Sequence, residues 1–309
     1  MARVSGSMRV VLAALGGNLA VAAVKFAAFA ATRSTAMLSE AIHSVVDTVD
    51  QVLLLIGQRR SSRPPDEEHP FGYGMETYFW SFIVALLIFF AGGLVAVRQG
   101  VDKVLHPQPI EHPWVSFAVL AASALFEGFS LRTAYREYRA VIASVGVEVN
   151  VLRFIGISKD PSLFSTLLED SVALVGLAIA AAGIAGAAFL GQLWADGAAS
   201  IAIGLLLLAV ALVLTNESRS LIAGEAAAPV IRQRIREAAQ GVFASCRVRD
   251  VSSLQLGPQV ILVLFTVEWR QEASVEQHRA DAAELVRRVK AVDPRICEVA
   301  FTGPEPPPG

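Results

Sequence analysis

Charged side chains are scarce in this sequence, and neither sign predominates. Asp, Glu, Lys and Arg together make up 17% of the 309 residues, the formal net charge is −2, and hydrophobic residues make up 54%. The near-zero net charge argues against a nucleic-acid partner, because proteins that bind nucleic acids present a basic surface to the phosphates. The scarcity of charge also excludes an ordinary soluble composition and predicts a protein that crosses a membrane several times.

Cysteine and histidine are also rare, with two and five residues respectively. Cys246 and Cys297 lie in a C-terminal part that is predicted to face the cytoplasm, where disulfides rarely persist, so a disulfide is not expected. We interpret the cysteines first as small buried apolar residues. The alternative is that they are soft metal ligands together with His278.

Six apolar segments are each close to the roughly 20 residues of helix that cross a bilayer. They are Val10–Ala31, Met37–Gly57, Tyr78–Val97, Trp114–Arg132, Leu163–Phe189 and Leu193–Thr215. No cleavable signal peptide is expected, because the head Met1–Arg9 is short and the apolar run after it is too long for a signal core.

The basic residues predict the orientation of these segments. One side of the membrane receives Arg3, Arg9, Arg59, Arg60, Arg63, Arg132, Arg136, Arg139, Arg153 and Lys159. The other side receives only Arg33, Arg98 and Lys103. The positive-inside rule then places both termini in the cytoplasm. Lys25 lies inside the first segment, and we interpret it as snorkelling or as ion-paired with a neighbouring helix rather than as part of a transport path.

The second segment carries a polar stripe on an otherwise apolar helix. Helical spacing places positions 40, 43, 47 and 50/51 on one face, and these positions hold Glu40, His43, Asp47, Asp50 and Gln51. Ionisable groups at membrane depth cost ~2.5–3.5 kcal/mol each on insertion scales and usually mark a pathway or a bound ion. His43 and Asp47 lie one turn apart, and imidazole with carboxylate suits a borderline metal such as zinc. The alternative is a stripe that only hydrogen-bonds a neighbouring helix.

The fifth segment supplies partners for this stripe. Glu169 and Asp170 stand inside an apolar run, and Thr166 lies one turn before Asp170 on the same face. Three or four nitrogen and oxygen ligands from two helices would form a tetrahedral site near the middle of the membrane. If only one acid faces that site, we expect it to be Asp170.

Two further acids in the spans are interpreted differently. Glu127, near the cytoplasmic end of the fourth segment, either lines an inner vestibule or pairs with Arg132. Asp196, at the external end of the sixth segment, is expected to be a structural cap or packing residue rather than a ligand.

The loop between the second and third segments contains a second candidate metal site. Asp66 is followed by His69 and then by the Gly-bounded turn Phe71-Gly72-Tyr73-Gly74. This carboxylate and imidazole could bind a metal at the membrane surface. A solvated acidic loop is the slightly favoured interpretation of these residues alone.

The last part of the chain predicts a small soluble-type domain. An amphipathic helix over Pro229–Phe243 precedes two strands, a second helix from Ser274 to Val292 and a last strand. The strands are Val248–Leu256, Val260–Trp269 and Ile296–Thr302. Ser274 and Gln277 fit a capping box. The order αββαβ predicts a ferredoxin-like α+β domain over 223–309, after a transmembrane domain over 1–222, and its small size favours dimerisation.

Taken together, these motifs resemble the cation diffusion facilitator family of metal/proton antiporters over nearly the whole chain. The resemblance rests on Glu40-Ala-Ile-His43-Ser-Val-Val-Asp47, on Asp66-Glu-Glu-His69-Pro-Phe-Gly-Tyr-Gly74, and on six spans before an αββαβ tail. Leu168-Glu169-Asp170 is similar to the zinc transporter 9-like branch of that family.

The resemblance implies a homodimer in the lipid bilayer that exports zinc, or a related divalent ion, from the cytoplasm in exchange for protons. It implies a transport site of His43, Asp47, Thr166 and Asp170. Family members usually have His or Asp where Thr166 stands, so Glu169 or water would complete the site. The family's loop site carries over to Asp66 and His69.

Three departures from the family pattern keep other interpretations open. They are Thr166 in the site, Tyr73 where the loop often has a histidine ligand, and Met75 where a basic residue often follows. The tail also lacks the histidines of the family's binuclear cytoplasmic site. The alternatives are an exporter of manganese, iron, cobalt or nickel, and a non-transporting membrane-anchored interaction protein. No enzymatic activity is expected, and the preference for Arg over Lys suggests a bacterial inner-membrane protein.

Overall fold

The computed structural model describes residues 2–145, 150–240, 243 and 245–303, and it is helical up to residue 239. The helices are α1 (Ala2–Thr32), α2 (Thr35–Ser61), α3 (Glu76–Leu105), α4 (Pro113–Val145), α5 (Val151–Ile157), α6 (Pro161–Phe189), α7 (Trp194–Ile222) and α8 (Pro229–Ala239). Within α3, a stretch of π-helix at Ile88–Leu94 joins two α-helical parts. By its contacts the chain divides into two units. The first is Met1–Gly57, Phe79–Ser144 and Ser162–Ser218, and the second is Gln58–Tyr78, Val145–Pro161 and Arg219–Gly309.

Four helices in the described part of the chain, α3, α4, α6 and α7, are long and apolar enough to cross a membrane. The protein is therefore a helical membrane protein. In α1 the described apolar stretch is shorter, Asn18–Thr32, and the side chains of the first fifteen residues lie outside the description. The acids of the polar stripe set α2 apart from the four apolar helices. The arrangement of six spans stays a prediction.

Helices α3 and α7 are in close contact through paired glycines. A Cβ atom on Gly100 would lie 2.6 Å from the carbonyl oxygen of Gly197, and one on Gly204 would lie 2.8 Å from that of Gly93. Gly93 and Gly100 are seven residues apart on α3, and Gly197 and Gly204 are seven residues apart on α7. The two glycines of each helix therefore fall on one face. Small residues at such a crossing allow the backbones to approach, and van der Waals packing then holds the helices together in lipid.

The N-terminus of α2 is capped by a carboxylate from α7. Asp196 is fully buried. It accepts hydrogen bonds from the Ser34 hydroxyl (2.5 Å), from the Thr35 amide (2.7 Å) and hydroxyl (2.9 Å), and from the Ala36 amide (3.3 Å). The carboxylate satisfies amides that have no partner within the helix and opposes the positive end of the helix dipole. Asp196 is thus a structural cap, as the sequence favoured.

The second unit contains the predicted αββαβ order. After α8 come strand β1 (Cys246–Gly257), strand β2 (Val260–Trp269), helix α9 (Val275–Lys290) and strand β3 (Ile296–Thr302). The sheet order is β1-β2-β3, with β1 and β2 antiparallel and β2 and β3 parallel. Ser274 caps α9 in a capping box with Gln277, as predicted. The assignment to a ferredoxin-like fold stays a prediction.

Helical structure differs from the prediction in two connecting regions. The expected helix Pro229–Phe243 is shorter, because Gln240 is extended with ψ of 127° and precedes a glycine, which disfavours helix. Residues 241 and 242 of that prediction lie outside the described residues. In the helix-compatible stretch Ala140–Ile155, α4 continues to Val145 and α5 begins at Val151. Residues 146–149 lie outside the described part.

Two connecting segments pack within the second unit beside the αββαβ elements. A Cβ atom on Gly74 would lie 2.5 Å from the carbonyl oxygen of Leu256, so the loop backbone lies directly against the end of β1. The ammonium group of Lys159 pairs with Glu225 at 2.5 Å, and the Tyr78 hydroxyl donates to the Lys159 carbonyl at 3.2 Å. These contacts extend beyond residues 223–309. The division into domains 1–222 and 223–309 stays a prediction.

Candidate metal centre

The polar stripe of α2 begins with an ion pair that neutralises Glu40. The ammonium of Lys25 on α1 lies 3.2 Å from Glu40 Oε2 and donates to Ser44 Oγ at 2.8 Å, and both charged side chains are fully buried. Lys25 is therefore ion-paired with a neighbouring helix, one of the two alternatives that the sequence left. Removing one member of a buried pair typically costs 3–5 kcal/mol. This pair joins α1 to α2, and Lys25 compensates the negative charge of Glu40.

His43 and Asp47 form the part of the stripe best suited to bind a cation. His43 Nδ1 lies 3.3 Å from Asp47 Oδ1, but the geometry is not that of a hydrogen bond. Neither nitrogen of His43 nor Asp47 Oδ1 has a hydrogen-bond partner, although His43 is 3% exposed. Buried polar atoms without partners are costly, and a bound cation is one way to offset that cost.

Asp170 on α6 and Glu127 on α4 share the electrostatic environment of His43. The charges of both carboxyl groups act on His43, and the carboxylates of Asp47 and Asp170 act on Glu127. Ser130, on the same helix as Glu127, donates a 2.7 Å hydrogen bond to Asp170 Oδ2. Side chains from α2, α4 and α6 therefore converge in one region of the first unit.

Glu127 has neighbours on other helices, and Ser130 is a residue of the site that the sequence did not indicate. The charges that act on Glu127 include those of Asp47, Asp170 and His43 on other helices, which favours the vestibule interpretation over a local pair with Arg132. Glu127 and Ser130 are three positions apart, so they share one face of α4. That Glu-x-x-Ser spacing on an apolar helix was the available signal.

The other predicted residues of α6 have different surroundings. The charges that act on Glu169 are those of Asp47 and Asp170, and Glu169 in turn acts on Asp50. Glu169 is not among the groups that act on His43. The Thr166 hydroxyl donates to the Ser162 carbonyl at 2.9 Å, so its proton is used within α6. Its oxygen keeps a lone pair, and Thr166 therefore stays a predicted ligand.

Within the residues that the structure describes, no three His, Cys, Asp or Glu side chains are close enough to form a ready metal cluster. His43, Asp47 and Asp170 are electrostatic neighbours rather than an assembled coordination sphere. The ligand set of His43, Asp47, Thr166, Asp170 and Glu169 stays a prediction.

The loop residues Asp66 and His69 lie together, but the turn itself already uses the carboxylate. Asp66 Oδ1 accepts the His69 amide at 2.7 Å, and Oδ2 accepts the Tyr73 hydroxyl at 2.6 Å. The His69 ring packs on Tyr73 with 4.0 Å between ring centroids, and His69 Nδ1 lies 3.7 Å from Asp66 Oδ1. Tyr73, which stands where the family often has a ligand, here donates to the other predicted ligand.

The hydrogen bonds from Tyr73 and from the backbone hold the pKa of Asp66 below its ordinary value. A lowered pKa in the folded protein means that these bonds stabilise the turn above the ordinary pKa of an aspartate. Their contribution is lost as the pH falls through the lowered value. At neutral pH Asp66 is therefore a hydrogen-bonded anion in a stable turn.

We expect the double variant Asp66→Ala, His69→Ala to keep measurable metal transport, since Asp66 already has its partners and the loop lacks a strong third ligand. Transport would be measured as zinc uptake into proteoliposomes. Tyr73→Phe is the matched variant, because it frees Asp66 Oδ2 while both predicted ligands remain. Complete loss of uptake in the double variant, with normal uptake in Tyr73→Phe, would make the loop an obligatory metal site.

The cysteines and His278 of the second unit are not arranged as a metal site. Cys246 is buried and Cys297 is exposed, and both are free thiols. His278 lies against Trp269, with 5.1 Å between ring centroids, and its Nε2 is 3.1 Å from the carbonyl oxygen of Arg270. The buried position of Cys246 agrees with the prediction of a small buried apolar residue. Cys297 is exposed, so the same prediction is wrong for Cys297.

Comparison with known proteins covers most of the chain. Residues 11–223 match the family described as the cation efflux transmembrane domain. The chain is similar to the human protein named proton-coupled zinc antiporter SLC30A9, mitochondrial, with 33% identity over 82% of this chain and 44% of that protein. Metal tolerance protein C4 of Arabidopsis thaliana is 34% identical over 71% of this chain and 48% of its own length.

A magnetosome protein, MamM of Magnetospirillum gryphiswaldense, is 30% identical over 68% of this chain and 60% of its own length. The chain thus spans less than half the length of the human and plant relatives, and somewhat more of the magnetosome protein.

Proposed function

Since this chain belongs to the cation diffusion facilitator family of membrane transporters, in its zinc transporter 9-like branch, we propose that it is a zinc/proton antiporter that exports zinc from the cytoplasm. Zinc is the transported substrate, and the chain performs no catalytic reaction. In this proposal it acts as a homodimer in a bacterial inner membrane with both termini in the cytoplasm. The observation that carries the proposal is that buried His43 has no hydrogen-bond partner, lies 3.3 Å from Asp47 Oδ1 and receives the charge of Asp170 from another helix.

Each residue of the proposed site has a role that follows from its contacts. His43 offers a free imidazole nitrogen, and Asp47 and Asp170 offer carboxylate oxygens. Ser130 orients Asp170 through its 2.7 Å hydrogen bond, as a partner of a ligand does in many metal sites. Thr166 supplies a hydroxyl oxygen. One imidazole with oxygen ligands suits zinc, and the imidazole favours zinc over manganese.

Proton coupling follows from the same ligands. A metal ligand must be neutral imidazole or ionised carboxylate, so zinc and protons compete for His43, Asp47 and Asp170. Neutral imidazole binds zinc and protonated imidazolium does not, so His43 can exchange a proton for the metal. Binding of zinc on one side then releases protons, and protons that arrive from the other side displace zinc.

The proposal is tested with the full chain in liposomes that contain a pH-sensitive dye. Addition of external zinc should drive zinc in and protons out, so the internal pH should rise. Protein-free liposomes and the surface variant Asp102→Asn are the controls, since Asp102 is exposed at the end of α3. Zinc uptake without a change in internal pH would contradict antiport. If neither zinc nor manganese, iron, cobalt or nickel moves, the non-transporting alternative is correct.

His43→Asp is expected to keep a cation site but to lose its preference for zinc. An all-oxygen site suits harder metals, so the zinc-to-manganese preference should fall by about tenfold or more. The loss of the imidazole should also weaken the dependence of zinc affinity on pH. Competition of manganese against radioactive zinc, measured at several pH values, checks both effects. If preference and pH profile both match the wild type, His43 is only a packing residue of the stripe.

A further inference from the structure

Asp50 is a buried carboxylate of α2 that the proposed site does not use. Its side chain is fully buried, and neither of its oxygens has a hydrogen-bond partner. Asp50 lies three residues after Asp47, so it is displaced by about 4.5 Å along the helix axis toward the loop after α2. A carboxylate with two unsatisfied oxygens at this depth is costly unless something positive accompanies it.

Glu169 of α6 is the group that acts most strongly on the Asp50 charge. Its Oε1 atom is likewise buried and without a hydrogen-bond partner. The two carboxyl groups therefore come from different helices and share one buried region, which also receives the negative charge of Asp47. Two like charges in such a region repel each other and favour the uptake of a proton or of a metal cation.

Lys25, a buried cationic side chain near the stripe, interacts with residues other than Asp50 and Glu169. The Lys25 charge acts on His43, Asp47 and Glu127, and Lys25 forms its ion pair with Glu40. In the described part of the chain, the charges that act on Asp50 and on Glu169 are all carboxylates. Glu40 has an internal counter-ion, whereas Asp50 and Glu169 are neutralised either by bound protons or by a cation from outside the chain.

We propose that Asp50 and Glu169 form a second divalent-cation site, next to the His43–Asp47–Asp170 site, that receives the metal before it. The inference rests on the proposed transport function and adds a step to it. An all-carboxylate site without imidazole binds zinc less tightly than a site with histidine. Adjacent sites of unequal affinity allow an ion to enter easily and still leave, because an incoming ion helps to displace the one ahead.

The test counts zinc ions bound per chain to the full-length protein in lipid nanodiscs, in the Asp66→Ala, His69→Ala background that removes the loop as a binder. Asp50→Asn and Glu169→Gln should each bind one zinc ion fewer than that background. Their combination should lose no more than either alone, because both belong to one site. Asp47→Asn should lose a different ion, and Asp102→Asn should lose none.

Transport by the same variants distinguishes this site from the main one. Asp50→Asn should raise the apparent KM for zinc by about fivefold and leave the maximal rate within about twofold, since the main site remains. Glu169→Gln should harm transport far less than Asp170→Asn. An unchanged zinc count in both Asp50→Asn and Glu169→Gln overturns the second site. A collapsed maximal rate with a retained zinc count also overturns it.

The proposed function has its own readout in the same series, because it depends on the result for Asp47→Asn. If Asp47→Asn transports normally, the main site is wrong, whatever the zinc count of the Asp50 variant. If Asp50→Asn does not fold, Glu169→Gln decides alone, because Glu169 is only partly buried and an amide preserves its shape.

Discussion

Asp47→Ala and Asp170→Ala are each expected to reduce zinc transport to the level of protein-free liposomes. Each change removes one of the two carboxylates of the proposed site, whose other ligands are one imidazole and one hydroxyl. Asp47 Oδ1 has no hydrogen-bond partner, so the change at Asp47 removes the 3.3 Å contact with His43 Nδ1, and the change at Asp170 removes the hydrogen bond from Ser130. Removing a buried acid that has no counter-ion relieves a cost rather than adding one, and the folded protein should persist. Zinc uptake with an internal pH dye is the measurement.

Matched variants separate a loss of ligand from a loss of fold. Asp170→Asn keeps an acceptor for Ser130, so its folding should equal that of the wild type while transport is lost. Ser130→Ala should reduce transport only in part, since Asp170 then loses its orientation but remains a ligand. Size-exclusion chromatography in detergent reports the oligomer in each case. Normal zinc flux in Asp47→Ala would remove α2 from the transport site.

Asp196→Ala is expected to destabilise the membrane part by about 3 kcal/mol or more, because it leaves several buried donors at the start of α2 without an acceptor. The Ser34 hydroxyl and the amides of Thr35 and Ala36 all donate to this carboxylate. Asp196 also holds α2, which carries the proposed ligands, against α7. The variant should show a lower melting temperature in detergent and lower yield, and any folded fraction should bind zinc less tightly.

Asp196→Asn is the matched control, because asparagine is also a good cap and keeps one carbonyl acceptor. Its loss of stability should be smaller than that of the alanine variant. Glu225→Gln, which removes the charge opposite Lys159 in the second unit, should leave zinc affinity in the membrane part unchanged. An alanine variant with the melting temperature of the wild type would show that the cap contributes little to stability.

The family was predictable from the sequence because its signals are local and repeat at fixed spacing. The match over residues 11–223 confirms the resemblance inferred from the motifs of α2 and the following loop. The elements of the second unit were predictable for a similar reason. Strand β2 and strand β3 begin and end where the alternating apolar pattern begins and ends, and the capping box at Ser274 marks the start of α9.

Residues that act at a distance were less predictable. Spacing alone placed Lys25 in the first apolar segment but left two interpretations of it, since its ion pair with Glu40 joins positions fifteen residues apart. The same holds for Glu127, whose neighbours belong to other helices, and for Tyr73, whose hydroxyl is taken by Asp66. Hydropathy and motif patterns show which side chains lie on each face of one helix. They contain no information about which side chains of other helices contact that face.

The sequence by itself determined the membrane character of the chain, the polar stripe with His43 and Asp47, and the αββαβ order, because periodicity along one segment decides which of its faces is polar. Only the tertiary structure decided which acids meet which face. It brought the charge of Asp170 to act on His43 and that of Glu169 to act on Asp50, and it placed the Asp196 carboxylate at the start of α2. The physical reason is that neighbouring residues on α6 point in directions about 100° apart, so the rotation of a helix in the bundle separates Glu169 from Asp170.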